Sequence, residues 1–133
     1  MRIEKSLVLV AVLLFSTSAL SEDADIAVLD ALQFNLGMVG FAGRLSDAEK
    51  AMVNIQKRTD AAKMFFSIID DKNSGNVAKL YALCGLKRVN SPHFDQAFDT
   101  LKSAEGQVSV TRGDVMKKES VTDLANQVKE GLC

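Results

Sequence analysis

One stretch of the sequence is apolar on almost every side when it is read as a helix. From Val77 to Leu86 the letters are VAKLYALCGL, and the apolar side chains surround nearly the whole helix. A helix of this kind is stable in water only where other elements cover it. We therefore expect this segment to form the central helix of a small bundle, with the rest of the chain packed around it.

Apolar residues recur at helical spacing through most of the remaining chain. Ser46, followed three residues later by Glu49, forms a capping-box pattern, and Ser91 precedes a proline at the first helical position. The predicted helices run from about Ala24 to Leu36, from Asp47 to about Lys57, from a Thr59 cap to Ile69, from Asn73 and Ser74 as caps to Leu86, from a Ser91 cap to before Gly106, and from Ser120 to Gly131.

One short segment has the alternation of a strand instead. Val108 and Val110 are separated by polar residues, but no convincing second strand is recognisable beside them. We therefore predict an ordered arm and not a sheet. The fold class expected from the sequence is all-α, a single bundle of five or six short helices over residues 22–133 with a short extended segment near 107–111.

The N-terminus has the layout of a secretory signal peptide. Basic Arg2 is followed by an unbroken apolar run from Leu7 to Phe15, and then by small and polar residues up to Ser21. The apolar run is too short to span a bilayer stably. We expect cleavage near Ser21, a periplasmic or secreted protein, and no stable membrane span after cleavage. A buried N-terminal helix is the alternative.

The charge balance excludes two classes of partner. The chain of 133 residues has a formal net charge of −1, and without residues 1–21 it has 14 basic and 16 acidic residues, or −2. A near-neutral chain creates no basic field for nucleic acid and no cationic face for anionic lipid. We therefore expect no nucleic-acid partner.

The two cysteines, Cys84 and Cys133, favour a disulfide in an oxidising compartment. The bridge would close a loop of about 50 residues, for which chain entropy gives about 4 kcal/mol of stabilisation. One buried thiol and one free terminal thiol are the alternative. Two cysteines alone supply too few ligands for a structural zinc ion.

The acidic turn at Asp70 and Asp71 does not fit a calcium loop. Such a loop needs oxygen ligands at its third and twelfth positions, which here are Lys72 and Tyr81. Starting one residue later places glycine fifth and alanine twelfth. We interpret the segment as a solvated turn and predict no metal site.

No combination of residues predicts catalysis. His93 is the single histidine, and no nucleophile or orienting acid can be assigned to it. The flanks of Cys84 are apolar, which disfavours an activated thiolate. Asp95 and Asp99 lie on the polar face of their helix, where neither would be desolvated. The chain also lacks phosphate-loop, dinucleotide and nucleophile-elbow motifs, so we expect no catalytic residue and no cofactor.

Two non-helical segments are candidates for contact with a protein partner. Gly37–Arg44 and Gln107–Asp114 mix apolar with polar residues, as binding loops on a rigid scaffold often do. Folding of the first segment into the core is the alternative. The residues expected to contact the partner are Met38, Val39, Phe41, Arg44, Val108, Val110 and Arg112.

Three stretches, LGMVGFAGRLSDAE, NVAKLYALCGLKRVNSPHFDQAF and QVSVTRGDV, together resemble a set of small exported proteins of Gram-negative bacteria. That set includes accessory proteins encoded beside microcin genes. The resemblance implies export and helical structure more than an activity. Such proteins have a Gly-Cys pair near Gly113-Asp114, and because Asp114 replaces the cysteine here, Cys133 is left as the partner of Cys84. Exported immunity proteins that block cell-wall amidases are a more distant comparison.

The function expected from these observations is binding to another protein outside the cytosol, without enzymatic activity, as in an accessory or immunity factor of bacterial competition. A periplasmic hydrolase with a carboxylate site is one alternative, and two carboxylates with shifted pKa values in a cleft would support it. A carrier of a small apolar ligand is another, and a closed pocket of roughly 300 Å³ or more would support that.

Overall fold

A computed structural model of the protein describes residues 24–37 and 44–133. The signal peptide predicted for residues 1–21 lies outside the described residues. Within them the order of elements is α1 (residues 24–29), α2 (Asp47–Gln56), α3 (Ala61–Asp70), α4 (Asn76–Arg88), α5 (Phe94–Lys102), β1 (Gln107–Arg112), β2 (Val115–Ser120) and α6 (Val121–Lys129).

The predicted central helix is confirmed as α4. It packs against α2, α3, α5 and α6, and its apolar residues between Val77 and Leu86 are all buried. The apolar stripe of α6, which includes Leu124 and Val128, is also fully buried. The positions of α4 and α6 therefore follow from the spacing of apolar residues.

The contact between α3 and α4 is unusually close at one point. The ring of Phe65 lies directly against Gly85, where a β-carbon would collide with the ring. Glycine in a helix costs about 1 kcal/mol relative to alanine, and here its missing side chain lets the aromatic ring reach the backbone of α4.

The expectation of an all-α fold is wrong, because the described residues contain an antiparallel hairpin as well as six helices. β1 pairs with β2 in a register that sets Val110 opposite Lys117 and Arg112 opposite Val115. The loop has two residues, with Gly113 at φ +62°, which is the position that a type II′ turn gives to glycine. The second strand escaped sequence analysis because most of it is exposed and it lacks the alternation of a half-buried strand.

The first predicted helix is too long. Helix α1 ends at residue 29, and residues 31–36 run in an extended path beside the hairpin. We call residues 31–36 the extended segment. The amide of Phe34 donates to the carbonyl of Ser109 at 2.9 Å, in a parallel bridge between residues 33 and 109. Leu32, which helical spacing predicted to face the core, is 94% exposed. Tertiary pairing with β1 has overridden the local helical pattern.

Two predicted helix caps are confirmed and others are displaced. Ser46 Oγ accepts from the amide of Glu49 at 3.1 Å, and Ser120 Oγ accepts from the amide of Asp123 at 3.0 Å. The Glu49 carboxylate does not accept from the amide of Ser46, as a capping box requires, because it contacts the Gly37 amide and Arg88. Ser91 Oγ accepts from the amide of His93, so the serine shapes the turn before α5. Predictions for Thr59, Asn73 and Ser74 are wrong, since α3 begins after Asp60 and α4 after Gly75.

The two cysteine sulfur atoms lie at bonding distance, with Cα atoms of Cys84 and Cys133 5.6 Å apart. Helix α6 ends in a Schellman motif, in which Gly131 has φ +113° and the amide of Leu132 donates to the carbonyl of Gln127 at 2.9 Å. This reversal of the chain brings the C-terminus back to α4.

Candidate protein-binding surface

The residues predicted to contact a partner fall into three groups. Met38, Val39 and Phe41 lie outside the described residues. Val108 and Val110 face the core and are 7% and 3% exposed, so neither is available to a partner in this structure. Arg44 and Arg112 are exposed. Arg44 and Arg112 thus remain available among the predicted residues, and Arg112 lies beside exposed neighbours that the sequence did not single out.

A buried tyrosine fixes the segment that precedes the first predicted contact segment, Gly37–Arg44. Tyr81 Oη accepts from the backbone amide of Asn35 and donates to its carbonyl, both at 2.8 Å. Ser46 Oγ lies 3.3 Å from the same hydroxyl. Burial raises the pKa of the Tyr81 phenol above its usual value of about 10. The hydroxyl is held neutral, and it ties the extended segment to the central helix.

A buried glutamate fixes the last described residue before the gap at 38–43. Glu49 Oε2 accepts from the amide of Gly37 at 2.8 Å, and Oε1 lies 3.4 Å from Arg88 Nη2. The Glu49 side chain is 5% exposed, and the Arg88 side chain is 25% exposed. Both ends of this carboxylate are thus satisfied.

Arg112 is held rigidly beside the hairpin loop. Its Nε donates to Glu119 Oε2 at 2.9 Å, and its Nη2 donates to Gln127 Oε1 at 2.7 Å. The hydrogen bond from this guanidinium holds the pKa of the Glu119 carboxyl below its usual value. Because Glu119 balances its charge, the Arg112–Glu119 pair as a whole carries no net charge.

The residues that precede the first predicted contact segment meet the second predicted segment at one place. A small cavity of about 50 Å³ lies between the extended segment, β1 and the C-terminus. It is lined by Phe34, Leu36, Val110, Thr111, Arg112, Leu124 and Leu132. The structure thus brings the stretch before Gly37 next to the strand that contains Arg112.

The second strand of the hairpin exposes apolar side chains that sequence analysis missed. Val115 is 54% exposed and Met116 is 61% exposed, directly before Lys117 and Lys118, which are also exposed. The Gly113-Asp114 loop was the signal that could have indicated this strand. We call the group Arg112, Val115, Met116, Lys117 and Lys118 the hairpin surface; Arg112, Val115 and Lys117 lie on one face of the hairpin, and Met116 and Lys118 lie on the other.

An open groove of about 640 Å³ lies elsewhere, between α3 and the start of α5. The rings of Phe66 and His93 are 5.5 Å apart on its wall. The groove is lined by Thr59, Asp60, Ala62, Lys63, Phe66, Ser67, Asp70 and His93. Its carboxylates and its imidazole do not form a constellation with an assignable chemical role.

Residues 24–37 and 44–133 contain no group of three or more acidic, histidine or cysteine side chains placed to bind a metal ion. No helix in the same part of the chain combines the length and the apolar content that are needed to cross a membrane. Comparison with protein-family models, with curated proteins and with solved structures found no match to this chain.

Proposed function

We propose that this protein is exported and acts by binding another protein, with the hairpin surface as its contact region. The observation that supports this proposal most directly is the exposure of Val115 and Met116 on a strand at the edge of the fold. An edge strand with exposed apolar side chains is a template for pairing with another chain. The pair of cysteines at bonding distance is compatible with an extracytoplasmic compartment.

The elements around the hairpin surface hold it in one conformation before a partner binds. Arg112 is fixed by Glu119 and Gln127, and the neighbouring extended segment is fixed by Tyr81. A rigid surface loses little conformational entropy when a partner binds. Together with the resemblance to exported proteins encoded beside microcin genes, this favours an accessory or immunity factor.

Partner capture with matched surface variants tests the contact region. The oxidised protein, immobilised and exposed to envelope extract, is expected to retain a defined protein. Val115→Asp and Met116→Asp should abolish that retention. Val28→Asp is the control, because Val28 is 41% exposed on α1 and has the same side chain as Val115. Equal retention by all variants, or turnover of an envelope substrate without any retained partner, would contradict the proposal.

Export is tested separately. The protein recovered from the envelope or the medium is expected to begin at Glu22, as determined by N-terminal sequencing and intact mass. A recovered chain that still carries residues 1–21 would contradict cleavage near Ser21.

A further inference from the structure

The hairpin has one edge that is paired and one that is open within the described residues. On one side, β1 is covered by the extended segment, since Phe34 donates to the Ser109 carbonyl and the Thr111 amide donates to Asn35 Oδ1 at 2.7 Å. On the other side β1 pairs with β2. Among residues 24–37 and 44–133, no strand pairs with the outer edge of β2.

The register of the hairpin identifies which backbone groups point outward. Ser109 and Thr111 use their backbone groups on the side away from β2, so the alternating residues of β1 bond to β2. Val110, which bonds to β2, lies opposite Lys117, so the backbone groups of Lys117 point toward β1. The amide and carbonyl groups of Met116 and Lys118 therefore face outward, where a further strand could pair with them.

The side chains along this edge favour an acidic partner. Lys117 and Lys118 are adjacent, exposed, and without an ion pair to any described residue within 4.0 Å. The nearby Arg112 is already paired with Glu119. Opposite charges that face one another across neighbouring strands stabilise the pairing, and like charges destabilise it.

A second copy of this chain is a poor occupant for the same edge. Directly opposite residues of antiparallel strands either both turn their backbone groups toward each other or both turn them away, so the fully overlapped register, with Lys117 opposite Lys118, cannot form. A shift of one residue in either direction sets Lys117 or Lys118 opposite itself. Lysines on an edge strand thus discourage pairing between copies, and they remain compatible with an acidic strand.

We infer that the outer edge of β2 binds an extended segment of a partner protein by strand addition. The segment has acidic side chains opposite Lys117 and Lys118 and apolar side chains opposite Val115 and Met116. Main-chain hydrogen bonds would supply affinity and these side chains specificity. This inference rests on the proposed function and adds the chemistry of the partner.

Two synthetic peptides test the charge preference by titration of the isotopically labelled, oxidised protein, followed by NMR. The first is Thr-Arg-Glu-Glu-Ile-Val, which in antiparallel alignment sets its glutamates opposite Lys117 and Lys118, and the second has lysines in their place. We expect the acidic peptide to bind about tenfold tighter and to shift the amide signals of Met116 and Lys118. The double variant Lys117→Glu/Lys118→Glu should reverse the preference. Equal affinities, or no binding of either peptide, would overturn the inference.

Two controls separate strand addition from simple charge attraction. Met116→Pro removes an outward amide and leaves the bonds between β1 and β2 intact, so the variant should stay folded and lose the acidic peptide. An acidic peptide with N-methyl groups on alternate amides should also fail to bind. Undiminished binding in either case would exclude pairing at this edge.

The two proposals fail in different ways. If Val115→Asp abolishes capture of a partner but no peptide binds to β2, strand addition is wrong and the hairpin surface remains the contact region. If the variants leave capture unchanged, the contact region itself is wrong.

Discussion

At the scale of single residues, Tyr81 joins the central helix to the segment that pairs with β1. It is the only tyrosine in the chain and is fully buried on the central helix. Its burial could be predicted from the apolar run around it. Its hydroxyl partners could not, because Asn35 lies 46 residues away in the sequence.

Removing this hydroxyl should destabilise the fold without disturbing its packing. Tyr81→Phe leaves the buried amide and carbonyl of Asn35 without their partner, which we expect to lower the free energy of unfolding by about 1–3 kcal/mol. Urea denaturation followed by circular dichroism measures the loss. Thr100→Val is the control, because it removes an exposed hydroxyl and should change stability by less than about 0.5 kcal/mol. A change at Tyr81 no larger than that of the control would show that the hydrogen bonds between Tyr81 and Asn35 do not stabilise the fold.

The Tyr81 phenol should lose its proton at a higher pH than an exposed tyrosine does. Because burial raises its pKa in the folded state, the folded protein holds this proton more tightly than the unfolded chain does. The contribution to stability is therefore complete below about pH 10 and is lost as the pH rises through the folded pKa. Since the chain has no tryptophan, tyrosinate absorbance reports this group alone. The midpoint should lie above 10 in the folded protein and return to about 10 in urea. Identical midpoints would contradict the buried environment.

At the scale of secondary-structure elements, the contact between α3 and α4 depends on one missing side chain. Gly85→Ala places a methyl group into the ring of Phe65. We expect a net loss of about 1–3 kcal/mol, because overpacking outweighs the helical preference of alanine. Thermal or urea unfolding measures it. The double variant Gly85→Ala/Phe65→Leu should lose less than the sum of the two single variants, and simple additivity would argue against a direct clash.

The hairpin shows why β2 was not predicted from the sequence and why the first helix was predicted to be too long. Val108 and Val110 have the alternation of a half-buried strand, and β1 forms where they lie. β2 has no such pattern, because its residues from Val115 to Lys118 are all exposed. The extended segment after α1 has apolar residues at helical spacing, yet it pairs with β1. Strand pairing between distant segments is decided by tertiary contacts that local patterns do not contain.

At the scale of the whole molecule, the disulfide fastens the C-terminus to the central helix across 49 residues of sequence. Removing it with Cys84→Ala/Cys133→Ala should lower the free energy of unfolding by about 2–4 kcal/mol, because the unfolded chain regains the freedom of a long loop. Urea denaturation of the variant and of the oxidised protein measures the difference. The reduced wild-type protein should match the variant within about 1 kcal/mol, and equal stability of oxidised and reduced protein would contradict a structural role.

The sequence by itself determined the helical core of this protein. The spacing of apolar residues places α2 to α6, because this pattern involves residues that are near one another in the chain. The even number of cysteines indicates the bridge between α4 and the C-terminus, because only the count is needed for that prediction. Only the tertiary structure decided the hairpin, the extended path of residues 31–36 and the position of Arg112 beside Val115 and Met116. These features depend on hydrogen bonds between segments far apart in the chain, such as those of Tyr81 to Asn35, and no local pattern specifies them.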